Sequence, residues 1–204
     1  MSIHLPTTKF LLVRHAQTIW NREHRYAGDS EVPLANEAID QIAKVSRFLA
    51  DVQIDAIYCS PLSRCIATIT PTAEHHQLRI IIRDELKERN LGEWEGKTAD
   101  EVSVSHPDHQ FPISAYNGDF HVPQAETLEH LEQRLRQCLQ EIRESHPGQT
   151  VILATHAGVI WAIERHIIEN AKSVPLFAPN CSITTLLSDQ HHFRLQAFTP
   201  LEGM

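Results

Sequence analysis

The stretch Lys9-Phe10-Leu11-Leu12-Val13-Arg14-His15 sets the reading of the whole chain. An apolar run cut off abruptly by an arginine and a histidine suits a buried strand that feeds a functional loop. The arrangement recurs downstream. Ala56–Cys59 is a short apolar run before Ser60-Pro61, a good helix start because Ser caps and Pro tolerates the first turn. The helix begun there carries Arg64 in that turn. Arg79–Ile82 is rich in β-branched residues and leads into the charged loop Asp84–Lys97, punctuated by Gly92 and Gly96 and carrying Glu88. Thr150–Ala154 is a fourth strand, and His156 follows it closely.

Between these runs the apolar period changes from strand-like to helical. From Glu37 to Ala50, residues Ala38, Ile39, Ile42, Val45, Phe48 and Leu49 recur at helical spacing, with Asn36 as the expected cap. Leu128, Leu131, Leu135, Cys138, Leu139 and Ile142 mark a long helix that Pro147-Gly148 ends. Gly158–Glu169 reads as helical, Thr98 with Glu101 makes a capping box, and Ser182–Leu187 with Phe193–Phe198 reads as a closing strand pair. There is no internal repeat. Strands alternating with helices predict one α/β domain over residues 1–204, a three-layer sandwich with a largely parallel central sheet and helices on both faces. A lid or substrate loop is expected around 97–125. Its centre, Ser105–Gln124, has no periodicity and holds His106, His109, Tyr116, Phe120 and His121.

A chain of 204 residues, 42% of them hydrophobic, can bury a sizeable core. The longest apolar runs, Phe10–Val13 and Val151–Ala154, are far shorter than the roughly 20 residues of a membrane span. Met1–Thr8 lacks the basic and apolar parts of an export signal, so a soluble cytoplasmic protein is expected. The net charge of −8 disfavours nucleic acid and favours small-molecule substrates. Cys59, Cys65, Cys138 and Cys181 are scattered in apolar surroundings and read as core residues. The pairs His75-His76 and His191-His192 lack partners at ligand spacing, so no metal is expected. No feature sets the oligomeric state, and a homodimer stays open.

In open α/β sheets the ligand crevice lies beyond the carboxyl ends of the strands. Arg14-His15, Arg64, Glu88 and His156 all follow such ends, and together they suit phosphoryl transfer. Arginines stay charged at every relevant pH and match phosphate oxygens. A neutral histidine, His15, can attack phosphorus, and a carboxylic acid such as Glu88 can alternate between acid and base. His156 can hydrogen-bond a phosphate oxygen, and Asn21 is a further neutral donor. An Arg-His pair alone carries little, since Arg165-His166 is a second one and reads as a helical surface pair. Chemistry alone does not separate Glu88 from Asp84, Glu85, Glu93 and Glu95, most of which read as surface charges.

Leu12-Val13-Arg14-His15-Ala16-Gln17-Thr18-Ile19-Trp20-Asn21, continuing through Arg25-Tyr26-Ala27-Gly28 to Val32-Pro33-Leu34, resembles the opening signature of the histidine phosphatase superfamily, also called phosphoglycerate mutase-like. Ser60–Arg64 with Ala67-Thr68, Leu86–Gly96 and Thr155–Val159 are similar to its later motifs. The resemblance implies a phosphohistidine on His15 and Glu88 as proton donor. It also implies Arg14, Asn21, Arg64 and His156 around the phosphate, backbone near Ala27-Gly28 at the substrate, and no metal or organic cofactor. Ala16 and Ala157 stand where many members have glycine, and Ala35 and Ala38 replace a usual hydroxyl residue and a glycine. The span from Gly96 to Glu126 leaves only about 30 residues for a lid, which favours a phosphatase over a cofactor-dependent phosphoglycerate mutase. Phosphoserine, phosphoglycerate-type esters, sugar bisphosphates and a nucleotide-loop precursor are the expected substrate range. A non-catalytic, phospholigand-binding regulatory protein is the reading from another class.

Overall fold

Strand β1 (Thr8–Arg14) lies inside a six-stranded sheet in the computed structural model, which describes residues 6–105, 122–168, 178–189 and 192–201. The sheet order is β3-β2-β4-β1-β5-β6, with β2 Ala56–Cys59, β3 Ile80–Ile82, β4 Thr150–Thr155, β5 Ile183–Ser188 and β6 Phe193–Thr199. The first four are parallel, and β5 and β6 close the sheet antiparallel. Leu12 pairs with Leu153 on one side and Thr184 on the other.

Side chains alternate across a strand, so consecutive apolar residues serve opposite faces. Phe10, Leu12, Val151 and Leu153 pack with Leu131, Leu135, Cys138, Leu139 and Ile142 of one long helix, α5 (Leu128–Ser145). Leu11, Val13, Ile57, Cys59, Ile152 and Ala154 pack on the other face with α2 (Ala38–Leu49) and α3 (Ser63–His76), through Val45, Leu49, Cys65, Ile69 and Ala73. Helices on both faces of a mostly parallel sheet make the α/β architecture that the sequence predicts. Leu135 is fully buried. Leu135→Ala is therefore expected to lower stability by about 2–5 kcal/mol, read as a lower urea midpoint with an unchanged slope.

Several local expectations are corrected. Helix α2 begins at Ala38 after Glu37, and no side chain caps it, so Asn36 is not its cap. Its apolar stripe is wider than the face it buries, leaving Ile39 75% and Phe48 40% exposed. Helix α3 starts at Ser63, beyond Ser60-Pro61, and the Ser60 hydroxyl accepts from Leu62 N at 3.3 Å in the approach to the helix. A short helix, α1 (Ile19–Arg22), follows the first strand where a loop is expected. Thr18 and Asn21 make its capping box.

The box at Thr98 and Glu101 forms, with both bonds present, and starts α4 (Ala99–Ser105). The acid loop contains two 3₁₀ turns, Asp84–Leu86 and Gly92–Trp94. Leu91 and Trp94 pack there with Val102 and Val122 in a small separate core. Beyond β4, α6 (Ala157–Ala162) runs into a π-helical turn, Ile163–Ile167. Arg165 is exposed there, while His166 Nδ1 lies 2.9 Å from a Glu132 oxygen. All four cysteines are buried. His75 and His76 bond the carbonyls of Ala50 and Leu49, tying the end of α3 to that of α2. No described helix is long and apolar enough to cross a membrane. The lid residues His106, His109, Tyr116, Phe120 and His121, and likewise His191, lie outside the described residues.

Candidate active site

The sheet order aligns the carboxyl ends of β3, β2, β4 and β1 along one edge. Four segments leave from that edge. Arg14, His15, Arg64 and Glu88 reach a common cavity of about 310 Å³, together with Asn21, Gly28 and Ala157. Residues that the sequence separates by more than seventy positions are thus neighbours because their strands are.

His15 is buried, and its main chain is held on both sides: its N–H donates to Thr155 O at 3.0 Å, and its carbonyl accepts from Asn180 Nδ2 at 3.0 Å. Its Nδ1 lies 2.8 Å from Ala16 O. A carbonyl only accepts, so Nδ1 carries the proton and Nε2 keeps its lone pair. Burial first, then the Arg64 and Arg14 guanidiniums, hold the imidazole well below its ordinary value of 6.5. It is neutral at pH 7, as a nucleophile must be.

Arg64 is buried, with its fork fixed from behind. Nη1 donates to Ser30 O at 2.7 Å, Nη2 to Gly28 O at 2.8 Å, and Nε to His156 Nδ1 at 3.3 Å. Arg14 donates from Nη1 to Ala178 O. The Asn21 carboxamide completes the capping box, so its oxygen accepts from Thr18 N and also from Asn180 Nδ2. What it can offer to the cavity is its NH₂ group.

Gly28 sits at φ +51°, and a Cβ there would come within 2.0 Å of Glu95 Oε1. Gly28→Ala is expected to displace the carbonyl that holds Arg64 and to weaken inorganic phosphate binding about tenfold, or ~1.4 kcal/mol by calorimetry.

Glu88 is buried, and its oxygens accept from Arg89 N at 2.9 Å and Gly158 N at 3.0 Å. Burial raises its carboxyl above the ordinary value of 4.5 against the pull of those two N–H groups and of both arginines. Its loop is anchored from two elements. Arg134 on α5 grips the Glu126 carboxylate with Nε and Nη2 and also reaches the carbonyls of Glu85 and Glu88. Thr155 at the end of β4 donates to Leu86 O at 2.8 Å.

His156 stands apart from the other candidates. It is fully buried, packs its ring 5.1 Å from that of His15, and is not among the residues that line the cavity. Nδ1 accepts from Arg64, so the proton sits on Nε2, 2.8 Å from Ser60 Oγ. Burial, Arg64 and His15 push its pKa well below 6.5, so it adds no charge to the pocket. The alanines at 16 and 157 differ in position: the Ala16 methyl is buried in the core against α2 and α3, whereas Ala157 borders the cavity.

Some neighbours escaped the sequence reading. Ser60 holds His156, and Thr68 Oγ1 accepts from Ala16 N at 2.8 Å. Asn180 arrives just before the antiparallel strand β5, whose start lies at the same sheet edge as the end of β1. His24, Arg25, Tyr26 and Ala99 also line the cavity. Arg25 is shared there with Glu23 and Glu101. Of the acidic residues around Glu88, Asp84 and Glu85 pair with Lys87 and Arg83 and Glu93 is exposed, as expected of surface charges. Glu95 is different: it accepts from Asp29 N, Ser30 N, Ser30 Oγ and Leu91 N.

A mostly parallel α/β sheet with two guanidiniums, a neutral imidazole and a buried carboxyl at its carboxyl edge has the chemistry that suits a phosphate group. The sequence profile of the histidine phosphatase superfamily (branch 1) matches residues 10–199, and the chain belongs to that family. It is 31% identical over 150 residues to "Phosphoserine phosphatase 1" of Hydrogenobacter thermophilus, covering 72% of this chain and 70% of that one. It is 30% identical over 169 residues to "Phosphoglycerate mutase-like protein 4" of Arabidopsis thaliana, covering 81% and 74%. The solved structure of Bacillus stearothermophilus YhfR superposes with a TM-score of 0.80 at 26% identity, over 93% of this chain and 96% of that one.

Proposed function

We propose that this chain is a phosphatase of small phosphomonoesters that works through a phosphohistidine on His15. The observation that carries the reading is the state of His15: Nδ1–H is tied to Ala16 O, and Nε2 is left with its lone pair in a cavity shared with Arg14, Arg64 and Glu88. In the first step Nε2 bonds to phosphorus, the ester P–O bond breaks, and the leaving alkoxide takes the Glu88 proton. In the second, Glu88 as carboxylate takes a proton from water, the water oxygen bonds to phosphorus, and the N–P bond breaks. Inorganic phosphate leaves, and both residues return to their starting states. Arg14, Arg64 and the Asn21 NH₂ hold the phosphate oxygens, where transition-state charge collects. His156 backs this wall through Arg64. Direct contact with phosphate, which the family resemblance implies, requires its Nε2–H to leave Ser60.

The relatives carry phosphatase and mutase names alike, and the two reactions differ only in whether water or a substrate hydroxyl receives the phosphoryl group. Water is favoured by the short segment between the acid loop and α5. Phosphoserine- or phosphoglycerate-like esters are the favoured substrates, supported by the relative named for phosphoserine and by a cavity suited to a small molecule. The test is phosphate release from phosphoserine, 3-phosphoglycerate, sugar bisphosphates and a nucleotide monophosphate in the presence of EDTA, by wild type and His15→Ala. Release that disappears in the variant supports the reading. Isomerised phosphoglycerate without release points to a mutase, and stoichiometric binding without either product points to a regulatory protein.

A further inference from the structure

Arg64, proposed above to hold phosphate, lines the cavity with a fork that is itself held by two carbonyls, those of Gly28 and Ser30. A guanidinium is only as well placed as its acceptors, so the conformation of residues 28–30 decides where this charge points. That conformation has an unusual clamp. The Glu95 carboxylate sits inside the turn, Oε1 accepting from Asp29 N at 3.2 Å and Leu91 N at 3.0 Å, and Oε2 accepting from Ser30 N at 3.1 Å and from Ser30 Oγ. Gly28 has room for it because it lacks a Cβ. Glu95 does not line the cavity and makes no bond to Arg64 or His15 among the described residues.

We infer that Glu95 is a positioning residue for the phosphate site: its carboxylate moulds the 28–30 turn whose two carbonyls aim Arg64. The inference rests on the phosphate-binding role proposed for Arg64. It separates Glu95 from the other acids of the same loop, because the four donors it gathers come from two segments, residues 29–30 and Leu91. The neighbouring chain is tied independently, by Tyr26 N to Lys97 O at 2.9 Å and Gly96 N to Tyr26 O at 2.8 Å. Losing the clamp therefore frees the turn rather than the loop pair.

Glu95→Gln keeps the size and fails on polarity. Whichever way the amide turns, its NH₂ faces at least one backbone N–H in place of an oxygen. The experiment is a double-mutant cycle with Arg64→Ala, reading the orthovanadate Kd by calorimetry and kcat/KM for p-nitrophenyl phosphate. Glu95→Gln is expected to weaken vanadate binding and kcat/KM about tenfold in the wild-type background and less than twofold when Arg64 is already absent. An equal loss in both backgrounds, or no loss in the first, overturns the inference. Ser30→Ala removes one of the four bonds and serves if Glu95→Gln does not fold. It is expected to cost about threefold with the same dependence on Arg64, and a cost independent of Arg64 overturns the inference as well. Vanadate binding needs no turnover, so a chain that released no phosphate would still report on Glu95. Failure of the cycle would leave the His15 result untouched.

Discussion

His15→Ala lowers phosphate release about 10⁴-fold or more while leaving inorganic phosphate affinity within a few-fold of wild type. The two halves of this expectation come from one feature. Because burial and the two guanidiniums keep His15 neutral, deleting it removes a lone pair but no cation. The charge proposed to bind phosphate stays on Arg14 and Arg64. The free-enzyme pH profile follows with a definite sign: the proposed mechanism uses His15 in its neutral form and its pKa is lowered, so the acid limb of kcat/KM is expected well below pH 6.5. An alkaline quench during turnover should trap an acid-labile phosphoryl group on wild type and none on the variant. Retention of more than about 1% of the wild-type rate by His15→Ala would mean that water attacks phosphorus directly, and the phosphohistidine would be abandoned.

The route from residues to site was short where the backbone itself made the connection. Phe10–Val13 and Val151–Ala154 are continuous apolar runs because these strands are covered on both faces, and the polar residues just after them had to meet at one edge. Arg14 and His15 are legible as cavity residues for that reason, and Arg64 through its helix start beyond Ala56–Cys59. Glu88 was legible only through the family motif, since five acids share its loop and sequence distance does not rank them. Features that depend on partners from elsewhere in the fold could not be read locally. Ile39 and Phe48 keep helical spacing whether or not anything covers them. Asn180 reaches His15 because β5 runs antiparallel, a fact of sheet topology rather than of its neighbours in sequence. The same holds for His156: its place after a strand was right, but the direction of its nitrogens is set by Ser60 and Arg64 from another segment.

Glu88→Ala separates the two chemical steps, because the acid matters in proportion to how poor the leaving group is. An alkyl ester such as phosphoserine must expel an alkoxide, and the expected loss in turnover is about 10²–10⁴-fold. p-Nitrophenolate leaves without protonation, so phosphorylation of His15 by p-nitrophenyl phosphate should proceed nearly as in wild type. Hydrolysis of the phosphohistidine still needs a base, and its loss should leave that intermediate accumulating. Rapid mixing is then expected to show a burst of p-nitrophenol close to one equivalent, followed by a slow phase. Added formate, small enough for the vacated space, should speed the slow phase. The pH dependence carries an independent sign. In the proposed mechanism Glu88 works first as an acid, and burial raises its pKa above 4.5, so wild-type kcat/KM for an alkyl ester should fall as pH rises through that raised value. The variant should lack that limb, whereas the acid limb set by His15 should survive in both. A variant that loses both esters equally and shows no burst would place Glu88 among the residues that hold the pocket together, through Gly158 N and Arg89 N, and would leave the proton to another group.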